Sequence, residues 1–569
     1  MSRPDWIVLV VTLAAIIAYG LYKSRTSRNL DGYFLSNRTM PWWLVLLSIM
    51  GTQASAITFL SAPGQAYTDG MRFVQNYFGL PLAMVVVSIT FVPIFHKLKI
   101  YTAYEYLENR FDVKTRTLTS FLFLLQRGVS TGISIYAPAI ILSSLLGWNI
   151  YWTNLFMGGL LIIYTVSGGA RAVAYTQQLQ LIIIFVGMFL AAYMVVHLLP
   201  AGIGFIDALK VSGRMSKLNV ITTGVNEHGF NWNDRYNIWS GIIGGFFLQL
   251  SYFGTDQSQV GRYLTAKSVT ESRIGLLMNG VVKVPMQFLI LLIGTLIFSF
   301  YQFNQAPLFF NQVQVNKVAR SAYADSLKTM QLHYDGLAVQ KKAAVTRWVN
   351  DSKKGLDTRA SEQEMKSING QTEKIRTDFK SILNKGEIGG DTNDTNYIFL
   401  RFVVDFLPKG LVGLLIAVIF LAAWGSIAAA LNSLASCTVV DIHKKFIDKN
   451  CTEQTDYRIS RWYSFAWGLF SIVVAMFATN MGSLIEAVNV LGSLFYGVIL
   501  GVFLVAFYVR RVRGHAVFIS ALVIELCIIL LFWKSSIGFL WLNAIGALGV
   551  VILALLLQPF FTKAASHEP

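Results

Sequence analysis

About thirteen stretches of this chain, each roughly twenty residues or longer, run with scarcely a charged side chain, and most are joined by short segments. They cover residues 5 to 22, 41 to 66, 74 to 98, 116 to 146, 150 to 168, 174 to 199, 236 to 258, 272 to 302, 398 to 440, 459 to 479, 481 to 510, 515 to 533 and 539 to 561. Only 14% of the 569 residues are charged and 54% are hydrophobic, which leaves too little polar surface to enclose so many apolar runs in water. In lipid each run must satisfy its own backbone, so it becomes a helix. The expectation is an all-α polytopic membrane protein, with the spans packed into one bundle.

The formal net charge of +17 does not point to nucleic acid, because the basic residues sit in short loops between the spans. Lys23, Arg25, Arg28 and Arg38 follow the first span. Alternate loops then carry Lys97, Lys99, Lys114 and Arg116, next Arg171, then Arg262, Lys267 and Arg273, then Lys444, Lys445 and Lys449, and last Arg510, Arg511 and Arg513. With an odd number of spans these all fall on one side, which is the cytoplasmic side of an inner or plasma membrane. The N-terminus is then outside and the C-terminus cytoplasmic. The first apolar run lacks a basic leader and a small-residue cleavage site, and it reads as a retained span. Cys437, Cys451 and Cys527 are far apart with no paired His, so neither a metal site nor a disulfide framework is indicated.

The span from Pro41 to Ala66 is apolar at both ends but small and polar at its centre, Gly51-Thr52-Gln53-Ala54-Ser55-Ala56. Two arrangements suit such a centre. One is a helix packed tightly on small residues. The other is an unwound turn at mid-depth, tolerated where it lines a cavity, whose carbonyls hold a cation and whose amides hold a solute. Residues 236 to 258 offer a counterpart: Gly241, Gly244 and Gly245 precede Gln249, Ser251 and Tyr252. Five spans separate the two starting points, so the second copy enters the membrane from the opposite side. Interrupted spans at matching places in two halves point to an inverted-repeat transporter.

Two segments on the outer side are long. Residues 200 to 235 are mixed in charge and have room for a short surface helix. Residues 303 to 397 are polar, and Val318, Ala322, Leu327, Leu332 and Leu337 recur loosely at helical spacing. That spacing suggests a helical pair outside the membrane, and a disordered tether is the alternative.

Three blocks resemble the sodium:solute symporter family, whose members include sodium/glucose, sodium/sialic acid and multivitamin symporters. They are Ser55-Ala-Ile-Thr-Phe-Leu-Ser-Ala-Pro-Gly-Gln-Ala-Tyr67, Tyr164-Thr-Val-Ser-Gly-Gly-Ala-Arg-Ala-Val173 with Thr176 and Gln180, and Gly254-Thr-Asp-Gln-Ser-Gln-Val-Gly-Arg-Tyr-Leu-Thr-Ala-Lys-Ser268. A fourth, from Phe420 to Ser433, is similar to the family's ion-site helix. The resemblance implies a LeuT-type 5+5 inverted repeat with one extra N-terminal and two extra C-terminal helices. The boundaries are then 1 to 40 for the first helix and its loop, 41 to 199 for the first repeat, and 200 to 235 for an outer loop. Residues 236 to 510 form the second repeat, interrupted by the 303 to 397 insertion, and 511 to 569 hold the last two helices.

By the same resemblance, sodium is a co-substrate held by backbone oxygens of Gly51, Ala54 and Ala422 and by a hydroxyl pair at 425 and 426. The chain departs at Gly425, so only Ser426 supplies a hydroxyl. Where some relatives bind a second sodium, this chain has Gln177, Ala428 and Ala429, which implies one cation per cycle with a proton as the rival ion. Gln53, Ser55, Thr58, Tyr77, Arg127 and Tyr252 are the candidate solute contacts. Arg127 stands at mid-depth with no acid near it in sequence, and either a carboxylate clamp or an internal salt bridge accounts for it. Glu486 and Asn489 are further cavity candidates, while Asp256, Gln257 and Arg262 belong to a gate or loop. No nucleophile, base and orienting group occur together, so an enzyme is not expected, and no cofactor is implied. The expected function is sodium-coupled import of a small polar organic solute, a sugar or a carboxylate, by alternating access. A proton-coupled symporter and a solute sensor built on the same fold are the alternatives.

Overall fold

The computed structural model describes residues 1–23, 30–449, 452–478 and 481–562; Arg25, Arg28 and Cys451 lie outside them. The regular secondary structure of the described residues is helical apart from a two-stranded hairpin, Val225–Asn226 with Gly229–Phe230, and an isolated bridge between Met40 and Ala266. The helices used below are α1 (Arg3–Lys23), α2 (Trp42–Gln53), α3 (Ala56–Asp69), α4 (Val113–Leu146), α5 (Ile150–His197), α6 (Gly245–Gly254) and α7 (Gln257–Tyr263). They continue with α8 (Val269–Phe303), α9 (Ala324–Lys353), α10 (Arg359–Leu383), α11 (Leu411–Cys437) and α12 (Leu484–Tyr508).

Helix ends follow local chemistry. Asp112 and Ser268 cap α4 and α8 by accepting the amides of Thr115 and Glu271. Gly147, at φ 67°, ends α4 in the left-handed conformation that suits a residue without Cβ. Between these ends α11 is buried along nearly its whole length and forms the centre of the bundle. It packs against α4 and α5, with α1 on its outer side.

Among the described residues ten helices are long and apolar enough to cross a membrane, or eleven when the bent pair of α2 and α3 counts as one span. Hydropathy suggests about thirteen. The difference arises in two places. Residues 150 to 168 and 174 to 199, expected as two spans, are helical without a break from Ile150 to His197; among the described residues Val173–His197 counts as a span and Ile150–Ile163 as a shorter apolar helix. The expected span 236 to 258 is a π-turn, Ser240–Gly244, followed by the short α6.

That second segment also corrects the position of its interruption. Gly241, Gly244 and Gly245 are not a break: helix continues through them to Gly254, and unwinding falls at Thr255 and Asp256. The glycines serve close packing, since a Cβ on Gly244 would stand 2.6 Å from the Leu540 carbonyl and one on Gly245 2.9 Å from that of Asn76. A broken helix thus occurs at two places among the described residues, α2/α3 and α6/α7.

The segment 200 to 235 contains one short helix, Phe205–Arg214. The insertion is a hairpin of α9 and α10 with its own core, including Leu327, Tyr334, Leu337, Ile375 and Phe379. Val318, Leu327 and Leu337 are buried as their spacing suggests, but Ala322 and Leu332 are exposed. Ala322 precedes the first turn of α9, and the buried stripe follows a repeat of 3 and 4 through Leu327, Tyr334, Leu337, Lys341, Ala344 and Trp348, which bypasses Leu332.

Candidate functional site

Apolar residues carry α2 to Met50, and small polar ones follow. The chain unwinds at Ala54 (φ −76°, ψ 70°) and Ser55 (φ −78°, ψ 167°), and α3 resumes at a 60° angle to α2. At a helix end the last carbonyls lose their donors. Here the Ala54 amide bonds Met50 O at 2.7 Å and the Ser55 amide bonds Gln53 O at 2.9 Å. Among the described hydrogen bonds, none outside regular helix reaches the carbonyl of Gly51 or Ala54. Both are expected sodium ligands, and both lie at the break.

Across from it, α11 presents Ala422 and Ser426. The Ser426 hydroxyl lies 3.0 Å from Ala422 O and 3.1 Å from Ala423 O. Between the two helices stands the buried amide of Gln177 from α5. Its Oε1 accepts from the Ser48 hydroxyl at 2.9 Å, and its Nε2 donates to Thr52 Oγ1 at 3.3 Å and to Gly425 O at 3.0 Å. A Cβ on Gly425 would lie 2.6 Å from Gln180 Oε1 and 3.3 Å from Gln177 Cγ, so a side chain there requires the Gln180 amide to move. The missing hydroxyl and the two glutamines are thus one packing arrangement.

A cavity of about 130 Å³ opens beside the break. All six candidate solute residues, Gln53, Ser55, Thr58, Tyr77, Arg127 and Tyr252, line it, and Ser426 and Asn489 do so as well. Of the sodium set, Gly51, Ala54 and Ala422 stand outside this lining. Glu486 lies nearer the hairpin side, paired with Arg235.

Arg127 has an internal partner that sequence proximity hides: its Nη1 is 3.7 Å from Asp256 Oδ2, and its guanidinium lies 5.8 Å from the centre of the Tyr252 ring. Asp256 in turn caps α7 through the Ser258 amide at 2.8 Å and accepts the Tyr496 hydroxyl at 2.7 Å. Gln257 accepts the Ala103 amide at 3.0 Å and donates to Tyr101 O at 2.7 Å. These contacts tie α7 to α4, to α12 and to the loop before α4. Arg262 is buried on α7, with Nε and Nη1 lacking hydrogen-bond partners among the described residues. None of the three reaches the cavity lining.

Sequence reasoning passes over Lys283. It is 2% exposed, lines the cavity from α8 and stands 5.7 Å from the centre of the Tyr77 ring, with no carboxylate in ion-pair range among the described residues. A lysine midway along an apolar span is the same signal that marks Arg127. Also missed is a stripe on α4, Arg127, Ser130, Thr131 and Ser134, whose i, i+3, i+4, i+7 spacing aims one hydroxylated face at the cavity. The site offers oxygens for a small hard cation beside a polar pocket lined by one lysine that has no carboxylate partner among the described residues.

The model of the Sodium:solute symporter family matches residues 33–328 and 380–523, leaving out most of the hairpin. The chain is 25% identical over 566 residues to the sodium/sialic acid symporter NanT of Aliivibrio fischeri, covering 99% of this chain and 94% of that one. It is 26% identical to the sodium-dependent multivitamin transporter of Oryctolagus cuniculus over 88% of this chain and 66% of that protein. In fold it resembles a Na+-coupled sialic acid symporter solved in a substrate-bound outward-open state, with a TM-score of 0.75, 24% identity and 98% of both chains covered.

Proposed function

This chain belongs to the sodium:solute symporter family of membrane transporters, and from that premise we propose that it imports a small polar organic solute with sodium by alternating access. The observation that carries the reading is the cavity at the broken span. Six residues brought together from α2, α3, α4, α6 and the turn at Tyr77 line it beside the bare carbonyls of the break. The sodium ligands in this reading are the carbonyls of Gly51, Ala54 and Ala422 with the Ser426 hydroxyl, and Gln177 leaves one cation per cycle. Between a sugar and a carboxylate, the buried Lys283, with no carboxylate partner among the described residues, favours the solute that carries an anionic group, because such a partner holds its ammonium charged.

Coupling is thermodynamic: sodium drives uptake to the extent that it binds one conformation better than the other. The inverted repeats 41 to 199 and 236 to 510 supply the moving parts. The N-terminus and the hairpin stand outside, and the C-terminus is cytoplasmic in the inner or plasma membrane.

Uptake of labelled glucose, gluconate and glucuronate into proteoliposomes, under an inward sodium gradient and separately under a proton gradient, tests this. Sodium-driven uptake that Ser426→Ala abolishes is the expected result. Uptake driven by protons alone would reassign the coupling ion, and binding without uptake would favour a sensor.

A further inference from the structure

Between the hairpin and the mouth of the cavity lies a second hollow of about 390 Å³. It lies on the same two helices that wall the inner cavity. On α3, Thr58 faces the cavity, while Gln65 and Thr68 line the hollow seven and ten residues on, about 10–15 Å farther along the helix. On α12, Ile485 and Asn489 face the cavity and Glu486 faces the hollow. On α3 the hollow therefore lies farther toward the hairpin than the cavity does.

The hollow holds three carboxylates, Asp69, Asp234 and Glu486, and three cations, Arg72, Arg235 and Lys380, so its formal charge is zero. Arg72 is 3.0 Å from Asp69 and 3.0 Å from Asp234, and Arg235 pairs with Glu486. Lys380, on the last turn of α10, is the exception, with no carboxylate in ion-pair range among the described residues. Around it stand the neutral side chains of Asn393, Thr395 and Gln65, which donate or accept hydrogen bonds. The helix that carries Lys380 is held firmly. Arg376 makes a two-pronged contact with Asp394 at 2.9 and 3.0 Å, and Asn396 donates to Gly482 O at 2.9 Å and accepts the Leu484 amide at 3.2 Å.

We propose that this hollow is a second, shallower solute site, completed by the inserted hairpin, which captures an organic anion bearing hydroxyl groups, with Lys380 as its counter-charge. The proposal rests on the reading of the inner cavity as a solute site. Two lysines without carboxylate partners, Lys380 and then Lys283, line the route, while the arginines along it are paired. Lys380 offers an ammonium that no carboxylate occupies among the described residues, a direct partner for an anionic group, and salt weakens that attraction.

The test is equilibrium binding of labelled glucuronate to the full chain in nanodiscs, with Thr58→Trp used to fill the inner cavity. The wild-type protein binds glucuronate in two affinity classes. Thr58→Trp retains the weaker class, Lys380→Gln loses it, and Lys380→Arg keeps it. In uptake at low salt, Lys380→Gln raises KM by about 3-fold to 10-fold, a difference that closes at about 0.5 M salt. Lys380→Gln protein with a wild-type melting temperature that binds and transports as wild type overturns the proposal, as does Thr58→Trp protein that binds no glucuronate. If glucose is taken up in preference to glucuronate, the anionic reading of the inner cavity fails, yet Thr58→Trp still reports on the hollow alone.

Discussion

The Nε2 of Gln177 donates a 3.0 Å hydrogen bond to the carbonyl of Gly425, fastening α5 to α11 beside the break in α2. The same amide reaches Ser48 and Thr52, so one neutral side chain bridges the two helices that supply the proposed sodium ligands. Restoring the hydroxyl by Gly425→Ser alone forces a side chain toward Gln180 Oε1 and is expected to lower sodium-driven uptake at least about tenfold, a loss of about 1.4 kcal/mol. The double change Gly425→Ser with Gln180→Ala frees that space and recovers uptake. Sodium titrations of initial rate separate the two variants, and equal rates would show that the contact does not govern the site.

Arg127 and Asp256 form an ion pair in which both partners are buried. Breaking such a pair leaves one charge without compensation and costs about 3–5 kcal/mol, whereas removing both charges costs far less. Arg127→Gln and Asp256→Asn are each expected to lower the melting temperature in detergent more than the double variant does. If the single effects simply add, the two residues do not act as a pair.

Gly64 lies so close to the Thr395 carbonyl that any Cβ would overlap it, and Gly294 stands in the same relation to Pro63. The segment that follows the hairpin thereby touches α3. Gly64→Ala is expected to destabilise the protein by about 1–3 kcal/mol and to expose the hairpin base to protease. Limited proteolysis, read at the junction near residue 390, reports this directly.

Lys341 is 5% exposed within the hairpin core, and burial pushes its ammonium down to about 8 from 10.5. The folded state therefore disfavours the charge that the unfolded chain carries. The penalty is full below pH 8 and fades as pH rises toward 10.5. Lys341→Met is expected to stabilise the hairpin by about 1–3 kcal/mol at pH 7, with a gain that shrinks above pH 8. Hydrogen exchange of α9 amides at pH 7 and pH 9 measures it, and a gain independent of pH would assign the effect to packing alone.

The break at Gly51–Ser55 is legible because small polar residues in the middle of an apolar run break a local rule, and local rules are written in sequence. The break at Thr255–Asp256 is not, since Gly241, Gly244 and Gly245 are the more conspicuous interruption and their role is contact with Asn76, Gln75 and Leu540. Arg127 draws notice as a lone charge in a span. Lys283 carries the same mark, and only its place in the cavity gives it weight.

By itself the sequence determined that this is a membrane bundle of helices, where its first broken span lies and which residues near it are polar, because hydropathy, helix breaking and charge are properties of short segments. The tertiary structure alone decided that Asp256 compensates Arg127, that Gln177 and Gln180 fill the space beside Gly425, and that Lys283 and Lys380 stand without carboxylate partners among the described residues. Each is a relation between residues tens to hundreds of positions apart, and whether a buried charge is compensated depends on what the fold brings within about 4 Å of it.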